Sequence, residues 1–437
     1  MNWLNFFEHK TVLHHPFGKG INANISPNEE ELFNKSYKAF ENKNILDAYE
    51  YFLNSLENFT DEVSNHNIIV ERTDNELKFK LFQGTAKIVG KITKEHFYAE
   101  VILIKKSDAN VALKRYILER NYQLTYSHYF SDNEYIKLKL FHDNITMSPQ
   151  KIFFPIREIA LNSDFDKEHI KSEFSDTHLN DIEHIKMIDE DELKIKFKYM
   201  KLWIEELDVK VLTLPSNDNS GMQAFLYLNL LFKIDYLLVP RFNIYQKINK
   251  KLLAYFSEEN NTIEAKNEEL KRYVDELKII EFDDFKQNFY NSEYTFNSIE
   301  KTAYDDIINF ISESLNKIRW YKNNRYNQII PTIYNYVAFY SLYNYGLNKV
   351  TKDLFHLLVE VQNPLFFQEL GYKPLYDSEK EIFAKKEIKS KVIDIIEDAQ
   401  ERFQALLEFS DELNFNSMNE FSNSFYLQLQ NLNFEEI

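Results

Sequence analysis

Apolar side chains recur at two different spacings along this chain of 437 residues. Between Leu32 and Leu56 they fall three or four residues apart, and Ser26 with Pro27 forms a helix-start signal, so two antiparallel helices are predicted. From about residue 65 the spacing changes to every second residue, as in the stretch that begins at Leu77. That spacing places apolar side chains on one face of a strand and polar ones on the other, so it indicates a sheet.

Most of the segments between residues 77 and 141 show this alternation, with turn residues between them. The predicted strands are 77–81, 86–92, 97–104, 123–130 and 134–141. Ser107-Asp108 starts a short helix after the third strand, and Ser148-Pro149 starts another after the fifth. The order of helix, three strands, helix, two strands and helix predicts one antiparallel sheet of about five strands flanked by helices.

Helical spacing dominates beyond about residue 175. Residues 193–199 fit a strand or a helix, and the helix explains a longer window that reaches Leu207. Further helices are predicted at 221–238, 241–257, 259–280, 297–325, 331–346, 350–361, 377–412 and 416–432. The predicted fold class is α+β. Its predicted parts are an N-terminal arm, a sheet domain, a connecting helix with a linker, and an all-α helical domain, at residues 1–27, 28–175, 176–220 and 221–437.

The composition favours helices over sandwiches and barrels, since glycine occurs 7 times and proline 9 times. The absence of cysteine excludes disulfides and thiolate chemistry. A formal net charge of −17 repels phosphates and anionic headgroups, so neither nucleic acid nor a membrane is an expected partner. The N-terminus lacks a signal-peptide pattern, and Lys233 and Asp235 interrupt the most apolar window, so a cytoplasmic location is expected.

Histidines form two weak candidate sites. His178 and His184 lie six residues apart, whereas ligands on one helix face lie three or four apart, so a solvated linker explains them better than a metal site. His15 precedes Gly18 and Gly20, but a phosphate-binding loop needs a preceding strand and a third glycine. An arm or loop is the simpler interpretation of that segment.

Paired acids also fail to predict a catalytic site. Asp283-Asp284 and Asp305-Asp306 are sequence neighbours, and neighbours on a helix point about 100° apart, so neither pair makes a dyad. The chain lacks the motifs of serine hydrolases, phosphate-loop nucleotide hydrolases and zinc proteases. The sequence therefore predicts no catalytic residue, no cofactor and no metal ligand.

The densest aromatic segment runs from Arg319 to Tyr345. A helix with aromatic residues around most of its circumference is either central to a bundle or partly exposed for recognition. Tyrosine and tryptophan supply much of the energy of protein interfaces, because their rings bury a large area and their polar groups tolerate water. The candidate partner-binding aromatics are Trp320, Tyr321, Tyr334, Tyr343 and Tyr345.

The order of elements in residues 30–175 resembles the type III secretion chaperone-like fold, which is also seen in the YbjN-like family. The matching stretches are Ile45–Phe59, Leu77–Ile104, Ala109–Asn121, Gln123–Phe141 and Pro149–Phe174. The resemblance covers about a third of the chain and rests on the order and lengths of elements. It implies a non-enzymatic domain that binds polypeptide, often as a homodimer. The long helical region that follows departs from that pattern.

Three functions are compatible with these patterns. The first is a non-enzymatic cytoplasmic adaptor or chaperone-like protein that receives a polypeptide partner on its sheet or its aromatic helices. The second is an enzyme whose site is assembled at the domain junction and leaves no linear motif. The third is an immunity-type protein whose acidity neutralises a basic partner. A pocket between the domains with convergent polar groups would favour the enzyme, and a purely apolar groove there would argue against it.

Overall fold

The structure is a computed structural model, which describes residues 15–18, 27–57, 59–60, 63–64, 67–174, 177–217, 219–257, 261–397 and 409–432. Residues 27–174 form an α+β unit. Its helices are α1 (Pro27–Glu41), α2 (Ile45–Asn54), α3 (Val111–Arg120) and α4 (Pro149–Glu173). Its strands are β1 (Phe59–Thr60), β2 (Val63–Ser64), β3 (Ile68–Arg72), β4 (Leu77–Gln83), β5 (Ala86–Ile92), β6 (His96–Lys105), β7 (His128–Ser131) and β8 (Tyr135–Asp143).

The main sheet is antiparallel throughout, with six strands in the order β3-β4-β5-β6-β8-β7. Alternate side chains are buried beneath α4, which crosses the inner face of the central strands. Gly90 lies where the ring of Phe79 packs against the sheet, and a Cβ at Gly90 would meet that ring at 2.0 Å. The predicted α+β class is therefore confirmed.

Two details of the sheet differ from the prediction. Strand β3 was not predicted, because its short run Ile68-Ile69-Val70 contains no apolar–polar alternation. Strand β7 begins at His128 rather than at Gln123. The carboxylate of Glu158 accepts hydrogen bonds from the backbone N–H groups just before this strand, at 2.8 to 2.9 Å, and holds that segment as a turn.

Residues 190–432 form a helical unit. Its helices are α5 (Glu190–Leu212), α6 (Ser220–Lys233), α7 (Phe242–Phe256), α8 (Ile263–Ile279), α9 (Phe282–Lys286), α10 (Tyr304–Asn323), α11 (Ile330–Asn344), α12 (Lys349–Gln362), α13 (Pro364–Glu369), α14 (Lys385–Glu397) and α15 (Met418–Gln430). A π-helical turn at Ile234–Leu238 follows α6, and a small hairpin pairs β9 (Tyr376–Asp377) with β10 (Ile382–Phe383). Residues 193–199 are helical, as favoured from the sequence. Within the described ranges, no helix has the length and apolar character needed to cross a bilayer.

Two predicted helices were too long. The helix predicted at 297–325 begins at Tyr304, because Asn297 accepts a hydrogen bond from the N–H of Ile299 in a tight turn and the N–H of Thr302 donates to the carbonyl of Gly346. The helix predicted at 377–412 begins at Lys385, because Asp377 caps a tight turn by accepting hydrogen bonds from the N–H groups of Glu379 and Lys380. Residues 398–408 of that prediction lie outside the described residues, and residues 409–412 are not helical.

Helix α11 occupies the centre of the helical unit, where it packs against α6, α10, α12 and α15. Its side chains are buried on nearly every side, including Ile333, Val337 and Phe339. A helix with this many apolar residues gains most of its stability from such burial, at about 25 cal/mol per Å² of apolar surface. The aromatic segment therefore serves partly as the core of this unit.

The two units contact each other where the turn between β4 and β5 forms hydrogen bonds with the segment 290–296. The side-chain oxygen of Gln83 accepts hydrogen bonds from the N–H groups of Thr295 at 3.0 Å and Phe296 at 2.8 Å, and its amide donates to the carbonyl of Phe296 at 3.2 Å. The N–H of Gly84 donates to the carbonyl of Glu293 at 2.9 Å. Phe296 itself is buried in the core of the N-terminal unit. This contact fixes the helical unit against the sheet.

Replacing Gln83 by leucine should destabilise the protein strongly. The change removes the acceptor of two buried N–H groups, and each unsatisfied group costs about 1–3 kcal/mol, so we expect a loss of about 2–6 kcal/mol in the free energy of unfolding. Denaturant unfolding followed by circular dichroism measures this loss. Gln328→Leu is the matched control, because Gln328 is exposed. Equal stability of the two variants would contradict the role given to Gln83.

Candidate functional site

The structure divides the five predicted aromatics among three places. Trp320 and Tyr321 lie at the end of α10 and line an aromatic groove. Tyr343 and Tyr345 line a separate polar pocket at the end of α11. Tyr334 is only 5% exposed and stacks on Tyr426 at a ring-centroid distance of 6.0 Å, so it belongs to the core and not to a surface.

The aromatic groove has a volume of about 370 Å³ and is walled by α6, α7, α10 and α11. Helix α10 presents Ser314, Lys317 and Tyr321 at successive turns on one face, because residues three and four apart share a face. The opposite walls are almost wholly apolar. They consist of Ala224, Phe225, Leu228, Tyr255, Phe256, Ile333 and Tyr336.

Trp320 stands at the edge of this groove with 56% of its surface exposed. Its ring makes a T-shaped contact with Tyr321 at 5.0 Å and stacks on Tyr326 at 6.2 Å. Two aromatic neighbours thus hold the indole in place while its outer face meets solvent. An exposed tryptophan beside an apolar groove is a common feature of protein-binding surfaces.

The segment that carries Trp320 is basic although the chain is acidic. Residues 317–326 contain four cations and no acid, against a net charge of −17 for the whole chain. All four are exposed, and none forms an ion pair with another described residue. They are Lys317, Arg319, Lys322 and Arg325. We call these four cations, Trp320, Tyr321 and the groove together the Trp320 surface.

The polar pocket has a volume of about 340 Å³ and lies among the arm, the π-helical turn, α7, α11 and α12. Its wall carries one acid, Asp235, and one base, Lys352. Burial, and then the nearby carboxylate of Asp235, raises the pKa of Tyr245 and Tyr343, so both hydroxyls stay protonated at neutral pH. Burial also lowers the pKa of the Lys352 ammonium.

The backbone beside this pocket is strained. Val239, which follows the π-helical turn, has φ +55°, and Phe242 has φ +46°. Left-handed backbone is unfavourable for branched and bulky residues, and such strain concentrates at functional sites, as π-helical turns do. Gly18 of the arm closes the pocket from the other side. Its N–H donates to the carbonyl of Tyr236 at 2.9 Å, and a Cβ would meet that tyrosine ring at 2.9 Å.

The histidines considered for metal or phosphate binding have structural contacts. His184 makes a tilted ring contact with Phe82, and its Nε2 lies 3.0 Å from the carbonyl oxygen of Gly84. His178 is exposed to solvent. His15 lies beside the Tyr372 hydroxyl, with Nδ1 at 3.1 Å. Among the residues that the structure describes, no three histidine, aspartate or glutamate side chains converge as a metal site would require.

Buried ionisable groups at the junction of the units are used as hydrogen-bonding partners. Asp164 accepts from the N–H and hydroxyl of Thr85, at 2.7 and 2.9 Å, and Glu168 accepts from Tyr290 at 2.7 Å. Lys167 donates to three backbone carbonyls, and burial lowers the pKa of its ammonium to about 8. The groove and the pocket both lie within the helical unit and the arm rather than between the units.

No family model matches the chain, and no curated protein matches its sequence.

Only part of the Trp320 surface was predicted from the sequence. Trp320 and Tyr321 were predicted as partner-binding aromatics. The cluster of cations at 317–325, which contrasts with the net negative charge of the chain, was not identified. Asp235 was visible as a charge inside the most apolar window, which is a signal for a buried functional group. Lys352 carries no such signal.

Proposed function

We propose that this protein is a non-enzymatic binding module that receives an acidic polypeptide segment with apolar anchors on the Trp320 surface. The observation that carries the proposal is the exposed Trp320 at an aromatic groove, within a basic segment of an acidic chain. Apolar anchors of the partner fill the groove, and its carboxylates meet the cations.

The groove suits an amphipathic helix. Such helices bind by placing apolar residues at i, i+3, i+4 and i+7 into a hydrophobic groove between helices. Lys317, Arg319 and Lys322 lie on α10 within three residues of Trp320, about 5 Å along the helix axis, and Arg325 follows the end of that helix. The fields of the three helical cations therefore overlap within about one Debye length. Positive potential steers acidic segments toward the groove and repels basic ones. The net charge of −17 favours a basic partner on other parts of the protein surface, whereas the Trp320 surface favours an acidic partner.

The order of elements in the N-terminal unit supports the same class of function. After α2 and the two-residue strands β1 and β2, the order is β3 to β6, α3, β7, β8 and α4, which resembles the secretion chaperone-like order with one additional strand, β3. We infer from this resemblance a polypeptide-binding role in the cytoplasm and a homodimer. The outer face of the sheet would be a second place for contact, since Val89 and Phe141 are exposed there.

Fluorescence anisotropy with designed peptides tests the proposal. The labelled probe is a helical peptide of about 18 residues with leucines at i, i+4 spacing and glutamates elsewhere. We expect it to bind and to lose affinity as salt is added, because charge attraction between exposed groups is screened. A peptide of the same composition with displaced leucines should bind more weakly, since it cannot present one apolar face.

Two further probes decide between partner classes. A peptide in which lysines replace the glutamates should not bind. A single-stranded oligonucleotide should bind more weakly than the acidic peptide, because it lacks aliphatic anchors for the groove. Equal binding of both leucine arrangements, preference for the lysine peptide, or tighter binding of the oligonucleotide would each contradict the proposal.

A further inference from the structure

The aromatic groove runs lengthwise along α10. Five residues of that helix line it, at spacings of three or four that place them on one side of α10. They are Phe310, Ser314, Lys317, Trp320 and Tyr321. The helix rises about 17 Å from the first of these residues to the last, at about 1.5 Å per residue. The groove therefore accommodates about three turns of a second helix that lies beside α10.

The Phe310 end of the groove is acidic. Asp306 and Glu313 lie four residues before and three residues after Phe310, so they share its side of α10, and both are exposed. Burial, followed by the neighbouring Tyr340, raises the pKa of the Tyr345 hydroxyl to about 12. The carboxylates of Asp306 and Glu313 add to this shift, so both lie close to Tyr345. The ring of Tyr345 contacts Phe310 edge to edge, with centroids 5.9 Å apart, which places the two acids at this end.

The other end of the groove is basic. Lys317 lines the groove, and Lys322 and Arg325 follow Trp320 at and beyond the end of α10. Glu313 and Lys317 have the spacing of a helical ion pair, but their side chains do not form one. Neither these two groups nor Asp306 is paired with any other residue in the described part of the chain. Charges of both signs are therefore accessible to a partner, in a fixed order along α10.

We propose that the Trp320 surface selects a helical partner segment by the order of its charges, with acids in its first turns and a base in its last turn, and that this segment lies antiparallel to α10. The inference rests on the proposed function, because it describes the partner of the same groove. An antiparallel segment places its acids beside Lys317 and its base beside Asp306 and Glu313. Its positive N-terminal end then lies near the negative C-terminal end of α10, and the same charge order stabilises the segment as a helix.

Three peptides with the leucine positions of the anisotropy probe test this charge order. One carries glutamate at every other position, a second has two lysines in its last turn, and a third has those two lysines in its first turn. At low salt the second should bind about three- to tenfold more tightly than the third, because two exposed charge attractions are gained in one peptide and lost in the other. The all-glutamate peptide should fall between them, and added salt should reduce the differences.

A double variant assigns this preference to the two acids. In Asp306→Asn, Glu313→Gln, the preference for the second peptide over the third should fall to about twofold or less, the remainder coming from the helicity of the free peptides. Asp284→Asn, Asp305→Asn is the matched control, because it removes the same charge. Asp284 lies on α9, and Asp305 points about 100° away from Asp306 around α10. The control should keep the wild-type preference, and circular dichroism verifies that both variants are folded.

Disulfide trapping reads the direction of the bound peptide, because the chain has no cysteine of its own. Asn309→Cys introduces a thiol at the acidic end of the groove and Asn323→Cys introduces one near the basic end, both at exposed positions. In a glutathione redox buffer, a peptide with a C-terminal cysteine should couple mainly to the first variant. A peptide with an N-terminal cysteine should couple mainly to the second.

The outcomes separate this inference from the function on which it rests. If none of the three peptides binds, the proposed function fails. If the second and third peptides bind equally, if the third binds more tightly, or if the Asp306 and Glu313 double variant keeps the full preference, peptide binding stands and the proposed charge order is wrong. Coupling to the opposite ends would contradict the antiparallel direction.

Discussion

Trp320→Ala should reduce the affinity for the acidic amphipathic peptide by about 30- to 1,000-fold, which corresponds to roughly 2–4 kcal/mol. Tryptophan at a groove is a frequent hot spot, because its large ring is desolvated when a partner covers it. Trp320 is 56% exposed, so its removal leaves the core intact, and the free energy of unfolding should change by about 0.5 kcal/mol or less. Anisotropy titration and denaturant unfolding measure the two effects.

Tyr122→Ala is the control for this prediction. Tyr122 is 93% exposed and lies in the N-terminal unit, far along the chain from the groove. Its truncation should leave both the peptide affinity and the stability unchanged. If Trp320→Ala binds the peptide as tightly as Tyr122→Ala, the groove is not the binding surface.

Alkaline pH should unfold the protein cooperatively above about pH 10. Burial raises the pKa of Tyr49, Tyr129, Tyr290 and Tyr426 well above the ordinary value of 10.0. In the unfolded chain these phenols ionise near their ordinary pKa. Their contribution to stability is therefore complete below about pH 10 and is lost as the pH rises, at about 1.4 kcal/mol per pH unit for each tyrosine.

Tyrosinate absorbance and circular dichroism, recorded together through the pH series, check this expectation. The buried phenols should ionise in the same narrow range in which helical structure is lost. Tyr426→Phe should reduce the slope of the free energy of unfolding against pH, above about pH 10, by about 1.4 kcal/mol per pH unit. Tyr122→Phe, at an exposed position, should leave that slope unchanged. Full ionisation of all tyrosines with the circular dichroism retained would show that these side chains are not buried.

The fold was predictable where local patterning agrees with tertiary packing. Strands β4, β5 and β8 were found because polar and apolar residues alternate, and α5 because its helical spacing extends over many residues. Strand β3 was missed because its edge position permits an unpatterned apolar sequence. The start of α10 and the hairpin before α14 were missed because hydrogen bonds made by Thr302 and Asp377 hold the backbone out of a helix at those places.

The candidate site was predictable only in part, because surfaces are assembled from residues distant in sequence. Trp320 and Tyr321 were recognised as aromatic, but the groove depends on Phe225 and Tyr255, which come from α6 and α7. Tyr334 has the same residue type and yet lies in the core, since its face of α11 meets α15. Sequence identifies the side chains that are able to bind, and packing selects those that remain accessible.

A charge-swap variant tests whether the cations of the Trp320 surface select an acidic partner. The variant carries glutamate at all four cationic positions, Lys317→Glu, Arg319→Glu, Lys322→Glu and Arg325→Glu, and circular dichroism verifies that it is folded. We expect this variant to lose its affinity for the acidic peptide and to bind the lysine peptide, while the wild-type protein keeps the opposite preference. If this variant binds the acidic peptide as tightly as wild type does, charge on the Trp320 surface does not select the partner. That result would contradict the proposed function.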